Sequence, residues 1–226
     1  MFHRARPDPA AAPIPIRNGN VGGEMRSGRT GRLARRDARA TRTVLLEVAG
    51  RLVAEHGTSF GLSDLARAAG VSTATVYRHF ADMSGLLSEY QAGLVDDLAT
   101  ALRGVPRDLE PLDRLREMSV RWVDRIDEWG RAAARLRSEH GVLERVRMGD
   151  PSMTELHGTL APVVHELIQD GEIRAQPVDL GVLLWLAIFD ERLVLELRHQ
   201  LGLSKPATAR RLTEALLGAL GRTAGN

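Results

Sequence analysis

LSDLARAAGVSTATVYRHF, residues 62–80, holds two short helical patterns that meet at a glycine. Leu62, Leu65, Ala66 and Ala69 recur at the three- to four-residue spacing of one buried helix face. Val76 and Phe80 give a second helix its own buried face. Between them Ala69-Gly70-Val71 makes a tight corner: Gly70 can take a positive φ, and Val71 can plug the angle between the helices. Ala66 and Ala69 are small where the two helices must approach closely. This is a helix-turn-helix pattern, whose second helix is the one suited to a DNA major groove.

The remaining side of that second helix carries the chemistry. Ser72 is a good N-cap, since its hydroxyl can accept a hydrogen bond from a first-turn N–H. With Val76 and Phe80 buried, Thr73, Ala74, Thr75, Tyr77, Arg78 and His79 are left outside. Hydroxyls, a methyl, an aromatic ring, a guanidinium and an imidazole suit base edges and phosphates. The same residues also fit an ordinary helical hairpin with a polar surface.

Toward the N-terminus, Leu45, Val48, Ala49, Leu52 and Val53 predict a helix over about 40–56, with Gly57 as its natural stop. Gly61 is the expected N-cap of the next helix, and Asp64 stands in its first turn, where the helix dipole favours an acid. Residues 1–37 are rich in Pro, Ala, Gly and Arg without apolar periodicity and are expected to be a disordered arm. Arg26, Arg29, Arg32, Arg35, Arg36, Arg39 and Arg42 make its end basic, fit to lie along phosphates. Met25 is a second candidate start.

Charge divides the chain. Residues 1–80 carry 13 arginines against 6 acidic residues, whereas residues 81–226 carry 17 arginines and one lysine against 23 acidic residues. A basic first part on an acidic second part fits a nucleic-acid-binding end joined to something else. There are no cysteines, so disulfides and thiolate metal sites are excluded. The longest apolar run, Val182–Phe189, is far short of the roughly 20 residues a bilayer needs. No apolar leader segment follows the N-terminal charges, so a cytoplasmic location is expected. No paired acid and base, phosphate-binding glycine loop or metal cluster points to an enzyme, and no cofactor is expected. His157 and His165 are too far apart for a simple two-histidine helix site.

Toward the C-terminus the pattern stays helical, with no strand signal. A connector helix is predicted over about 83–102, and Pro106 and Pro111 bound the segment after it. Further helices are expected over 112–129, over 131–148 with a possible break at Gly141, and over 153–167 with a kink at Pro162. The last two are expected over 177–201 and 205–220. VLLWLAIF, residues 182–189, is apolar all round and must be buried on every side. A second subunit is the economical cover, and a deeply buried core helix in a monomer is the alternative. Ala209, Leu212, Leu216 and Leu220 form a narrow seam on the last helix, so these two helices are expected to make a four-helix dimer interface.

LLEVAGRLVAEHG (45–57) and LSDLARAAGVSTATVYRHFADMSGLL (62–87) closely resemble the DNA-binding domain of the tetracycline-repressor-like (TetR) family. After the disordered arm expected over 1–37 from composition, the resemblance implies an all-α protein with a helix-turn-helix domain and connector, here 38–100, and a helical effector-binding and dimerisation domain, here 101–226. It implies DNA contacts from Ser72, Thr73, Ala74, Thr75, Tyr77, Arg78 and His79, with Tyr77 and His79 on phosphates and Thr73, Thr75 and Arg78 on bases or nearby phosphates. Thr41 and Arg42 would touch the backbone. The implied function is a homodimeric repressor on a pseudo-palindromic operator, relieved by an unidentified small-molecule effector. A dimeric regulator without such an effector is the alternative. Trp122, Trp129, Trp185 and Phe189 are the large aromatics available to an effector pocket, with Arg125 and His140 beside them, though all six also fit plain structural roles. Two positions depart from the family pattern: Met83 stands where a phosphate-gripping lysine is usual, and Gly61 where a threonine cap is usual.

Overall fold

The computed structural model describes residues 24–136, 138 and 140–222, with side chains from Arg35 onward. The first helix, α1, runs Glu24–His56. It starts well before the expected residue 40 and takes in residues 24–37 of the expected disordered arm. The reason is compositional. The four N-terminal prolines end at Pro15, and beyond Glu24 the chain is dominated by Arg, Ala, Leu, Met and Glu, which are good helix formers. Residues 1–23 of that arm lie outside the described residues. In the segment before Arg42, Thr41 Oγ1 donates to the Asp37 carbonyl, 2.9 Å away, and Arg35 and Arg36 are exposed.

From Arg42 onward the chain forms a separate unit. Gly57, at φ 66°, ends α1, and its N–H bonds the Val53 carbonyl. Then come α2 (Leu62–Ala69) and α3 (Thr73–His79). As expected, Gly61 is the N-cap of α2, and its N–H bonds the Asp64 carboxylate at 3.0 Å. That backbone hydrogen bond, aided by Arg67, holds the Asp64 pKa below the usual carboxylate range. Gly70 sits at φ 68°, and Val71 bonds back to the Ala66 carbonyl, which closes the corner between α2 and α3. Leu45, Val48, Ala49, Leu62, Leu65, Ala66, Val76, Phe80 and Leu86 form one closed core around that corner.

The connector α4 (Met83–Arg103) is capped by Asp82. It leads into a second core built on α5 (Pro111–Trp129), α8 (Pro151–Gln169), α9 (Val178–Ile188) and α11 (Lys205–Ala219). Two expected long helices are divided. Residues 131–148 form α6 (Arg131–Arg135) and α7 (Val142–Arg147), because Leu136 turns extended. Residues 177–201 form α9, α10 (Glu191–Leu195) and a π-helical turn, Glu196–Gln200. Phe189 closes α9, and the Asp190 carboxylate caps α10 by accepting from the N–H groups of Arg192 and Leu193. Among the described residues there is no strand pairing beyond one isolated bridge, Ile173 to Arg222. No described helix is long and apolar enough to cross a membrane.

The apolar run at 182–189 is not buried on every side. Val182, Trp185 and Phe189 are in the core, whereas Leu183 is half-buried and Ala187 exposed. The α11 seam differs more sharply from expectation. Ala209, Leu212, Leu216 and Leu220 are all at least 97% buried within their own chain, where α11 packs along α5. The seam is core, and the outer face of α11 carries Arg211, Ala215, Gly218 and Ala219 instead.

Candidate nucleic-acid interface

The helix-turn-helix presents α3 with its apolar side locked and its polar side open. Val76 is fully buried and Phe80 is 3% exposed, so the helix cannot rotate about its axis without breaking the core. Ser72, Thr73, Ala74, Tyr77 and Arg78 are exposed, while Thr75 and His79 are half-buried. Tyr77 stands out at 60% exposure, an aromatic ring with no place in the core. These are the side chains expected at DNA, and the fold brings all of them to one short helix and its cap.

Three of them are already tied together. The Ser72 hydroxyl accepts from the Thr75 N–H at 3.1 Å, and the two hydroxyls lie 2.9 Å apart. Arg78 Nη2 then donates to Thr75 Oγ1 at 3.2 Å. Residues 72, 75 and 78 lie at successive turns of the same helix face, so a single line of hydrogen bonds runs along it. Part of the Ser72 capacity is therefore spent on capping the helix.

Arg42 is placed differently from the expected backbone contact. Its Nε donates to Glu89 Oε1 at 2.5 Å, and its Nη2 reaches the other carboxylate oxygen. Its Nη1 donates to the His79 carbonyl at 2.6 Å, and the guanidinium lies 4.5 Å from the centre of the Phe80 ring. The hydrogen bond to Glu89 raises the Arg42 pKa further above its ordinary value, against the opposing effect of burial. The half-exposed side chain is held in place by a carboxylate, a helix-end carbonyl and a ring face. Glu89 is invisible as a site residue in the sequence: it lies 47 positions from Arg42, and only the packing of α4 on α1 joins them. Met83 packs against the core of the helix-turn-helix, so this position supplies an apolar contact in place of a charge.

A cavity of about 310 Å³ lies in the second core. Leu94, Val95 and Leu98 of α4 form one wall. Of the expected pocket residues, Trp122, Trp129, His140 and Phe189 line it. Trp185 does not: it stacks behind Trp122, ring centroids 6.1 Å apart and planes 24° from parallel. Nor does Arg125, which pairs with Glu128 at 2.7 Å and reaches Asp97 at 3.5 Å. His140 lies outside any helix, exposed and 3.4 Å from Glu144, because the break after Leu136 removes it from an apolar helix face. Arg145, which nothing in the sequence singles out, lines the cavity with its charge held by Asp150 at 2.8 Å. Burial raises the Asp150 pKa, but the Met153 N–H and the Arg145 guanidinium outweigh it, and the net shift is downward. Beside the cavity, Arg135 of α6 donates to the Val53 carbonyl of α1 at 3.2 Å. No group of three or more metal-ligating side chains occurs among the described residues.

Comparison with known proteins accords with this geometry. Residues 45–90 match the model of the bacterial regulatory proteins of the tetR family. The HTH-type transcriptional regulator AcrR of Shigella flexneri is 42% identical over 59 residues, which is 26% of this chain and 27% of that protein. The chain thus spans about a quarter of the length of that curated relative. Solved structures share the fold over much more of the chain. A TetR-family protein from Vibrio parahaemolyticus covers 80% of this chain and 98% of its own length, with 22% identity and a TM-score of 0.60. A TetR-family regulator from a Shewanella species covers 81% of this chain and 99% of its own, with 18% identity and a TM-score of 0.66. The FadR regulator of Bacillus halodurans covers 80% and 97%, with 16% identity and a TM-score of 0.65. The locked recognition helix thus lies in a segment, residues 45–90, that matches the tetR-family DNA-binding region, within an all-α chain whose fold is shared by solved TetR-family structures.

Proposed function

We propose that this chain is a transcriptional repressor that binds a pseudo-palindromic operator as a homodimer and is released by a small-molecule effector. The observation that carries the reading is α3, whose core side is sealed by Val76 and Phe80 while Tyr77 and Arg78 are exposed on the other side. A helix held this way can enter a major groove as a rigid unit, Tyr77 and His79 meeting phosphates and Thr73, Ala74, Thr75 and Arg78 meeting base edges.

The cavity supports an effector. Charged groups at its wall are engaged: Arg145 by Asp150, Asp190 by the α10 N-terminus, and Arg192 by the Ala134 carbonyl. The rest of its lining mixes aromatic and aliphatic side chains, including Trp122, Phe189, Met153 and Leu156, with the polar Gln91, Ser138, His140 and Glu191. An effector with a large apolar part and a few hydrogen-bonding groups fits this mixed lining. The helix α4 that walls the cavity also packs on the helix-turn-helix, so a ligand that prefers one α4 pose biases DNA binding by its differential affinity.

A second copy would cover the outer face of α9. Leu180, Leu183, Leu184 and Ala187 share one side of that helix, and Leu180 is 45% exposed. On α11 the small residues Ala215, Gly218 and Ala219 would allow close helix approach, in place of the seam predicted from sequence.

The test begins by enriching duplexes from a random-sequence pool with the full chain. A two-fold symmetric consensus, and a dimer by sedimentation that Leu184→Glu or Leu193→Glu converts to a weakly binding monomer, are the expected results. An enriched sequence without symmetry, or a monomeric variant with undiminished affinity, would contradict the dimer. A screen of neutral aromatic and aliphatic compounds that releases no enriched duplex would favour a regulator without an effector.

A further inference from the structure

We propose that Arg42 is a positioning residue that joins the end of the recognition helix to α4, so that α4 sets the pose in which α3 meets DNA. The inference rests on the DNA-binding reading and replaces the phosphate contact expected of Arg42 from sequence.

One edge of the guanidinium, Nε and Nη2, is taken by the two oxygens of Glu89 on α4. The remaining nitrogen, Nη1, donates to the carbonyl of His79, the last residue of α3. The face covers the ring of Phe80, the buried residue that follows. A planar fork with five N–H groups can hold all three at once, which a lysine ammonium cannot. The positive charge sits at the C-terminal end of α3, where the helix dipole is negative. Glu89 neutralises the charge that a phosphate would otherwise attract.

Glu89 belongs to the same helix as Leu94, Val95 and Leu98, which wall the cavity about one and a half to two and a half turns further along. A displacement of α4 at the cavity therefore moves Glu89, and through the fork it moves the backbone at the end of α3. Val76 and Phe80 set how α3 rotates about its own axis, and the Arg42 fork sets where its C-terminal end lies.

The charge signs make the proposal testable. The probe is a 30-base-pair duplex enriched from a random pool by the wild-type chain, with a scrambled duplex as control, measured by anisotropy over a salt series. Glu89→Gln is expected to weaken binding to the enriched duplex about tenfold, the loss of roughly one charge-assisted hydrogen bond, although it removes a negative charge. Arg42→Lys is expected to act in the same direction. Both should leave scrambled-duplex affinity and the salt slope unchanged, well below their melting temperatures. A group that only stabilised the fold would lower the melting temperature without altering the ratio of the two affinities, and that result overturns the proposal. A phosphate contact predicts the reverse for Glu89→Gln, tighter binding to both duplexes, and a slope lower by about one for Arg42→Gln. Either outcome also overturns it while leaving DNA binding intact. Failure of the wild-type chain to enrich any duplex removes the DNA-binding reading itself, and the proposal with it.

Discussion

The hydroxyls of Ser72 and Thr75 stand 2.9 Å apart at the start of the recognition helix, and Arg78 donates to the second of them at 3.2 Å. Thr75 therefore does two jobs if α3 reads DNA: it offers its methyl and hydroxyl to a base, and it aims the Arg78 fork. Replacing it with valine keeps the methyl and the half-buried shape but removes both hydrogen bonds. Thr75→Val is expected to relax preference at the base pairs facing residues 75 and 78, by about 1–3 kcal/mol for each bidentate pairing with a base that no longer forms. Sequencing duplexes enriched by the variant and by the wild type checks this. An unchanged consensus would show that Arg78 is aimed by something else.

Tyr77 should behave differently. At 60% exposure it contributes little to the core, so Tyr77→Ala is expected to change folding stability by no more than about 0.5 kcal/mol. Its effect on DNA should be a weakening shared by every duplex tested, because a phosphate contact carries no base information. Competition between enriched and scrambled duplexes separates the cases. A loss confined to the enriched duplex would move Tyr77 from phosphate to base.

The helical domain depends on a close approach between α8 and α9. A Cβ added at Gly181 would fall 2.5 Å from Val164 Cγ1, and both positions are fully buried or nearly so. Gly181→Ala is expected to cost about 1–3 kcal/mol through overpacking. Val164→Ala removes the obstructing methyl groups, so the double variant should be more stable than the sum of the two single losses. A denaturant-unfolding double-mutant cycle measures that coupling, and strict additivity would refute the contact.

Acid should loosen the same domain at the junction of α5 with the C-terminal helices. Burial pushes the Asp127 pKa up, but hydrogen bonds from Arg198 and Lys205 push it further down, leaving it below the usual carboxylate value. A carboxyl group whose folded pKa lies below its unfolded value stabilises the fold fully above the unfolded pKa of about 3.9. That contribution is lost as pH falls through the lower, folded value. Asp127→Asn is expected to lose about 1–3 kcal/mol at pH 7 and to show a flatter stability profile below pH 4. Unfolding curves across that range decide it, and parallel profiles would exclude Asp127 as a source of the acid sensitivity.

The helix-turn-helix expected from sequence agrees with the structure because its determinants are local. Helix periodicity, a serine cap and a glycine corner act over a few residues, and they locate α2, α3, Gly61 and Gly70 correctly. The early start of α1 escapes a reading by composition that takes residues 1–37 as one Pro- and Arg-rich segment, although the prolines stop at Pro15. The divisions at Leu136 and Phe189 escape it too, because each depends on a backbone turn that apolar spacing does not encode.

The residues that apolar periodicity marked on α3 and α8 are buried, and so are most of those it marked on α5. What buries them was a tertiary question. The seam on α11 looks the same whether it faces a partner or α5, and packing assigned it to α5. Arg42 looks the same whether it reaches a phosphate or Glu89, because a guanidinium satisfies itself with whichever acceptors the fold brings near. Local chemistry dictated which residues occupy the recognition helix. The long-range placement of α4, through Glu89, decided which acceptors hold Arg42.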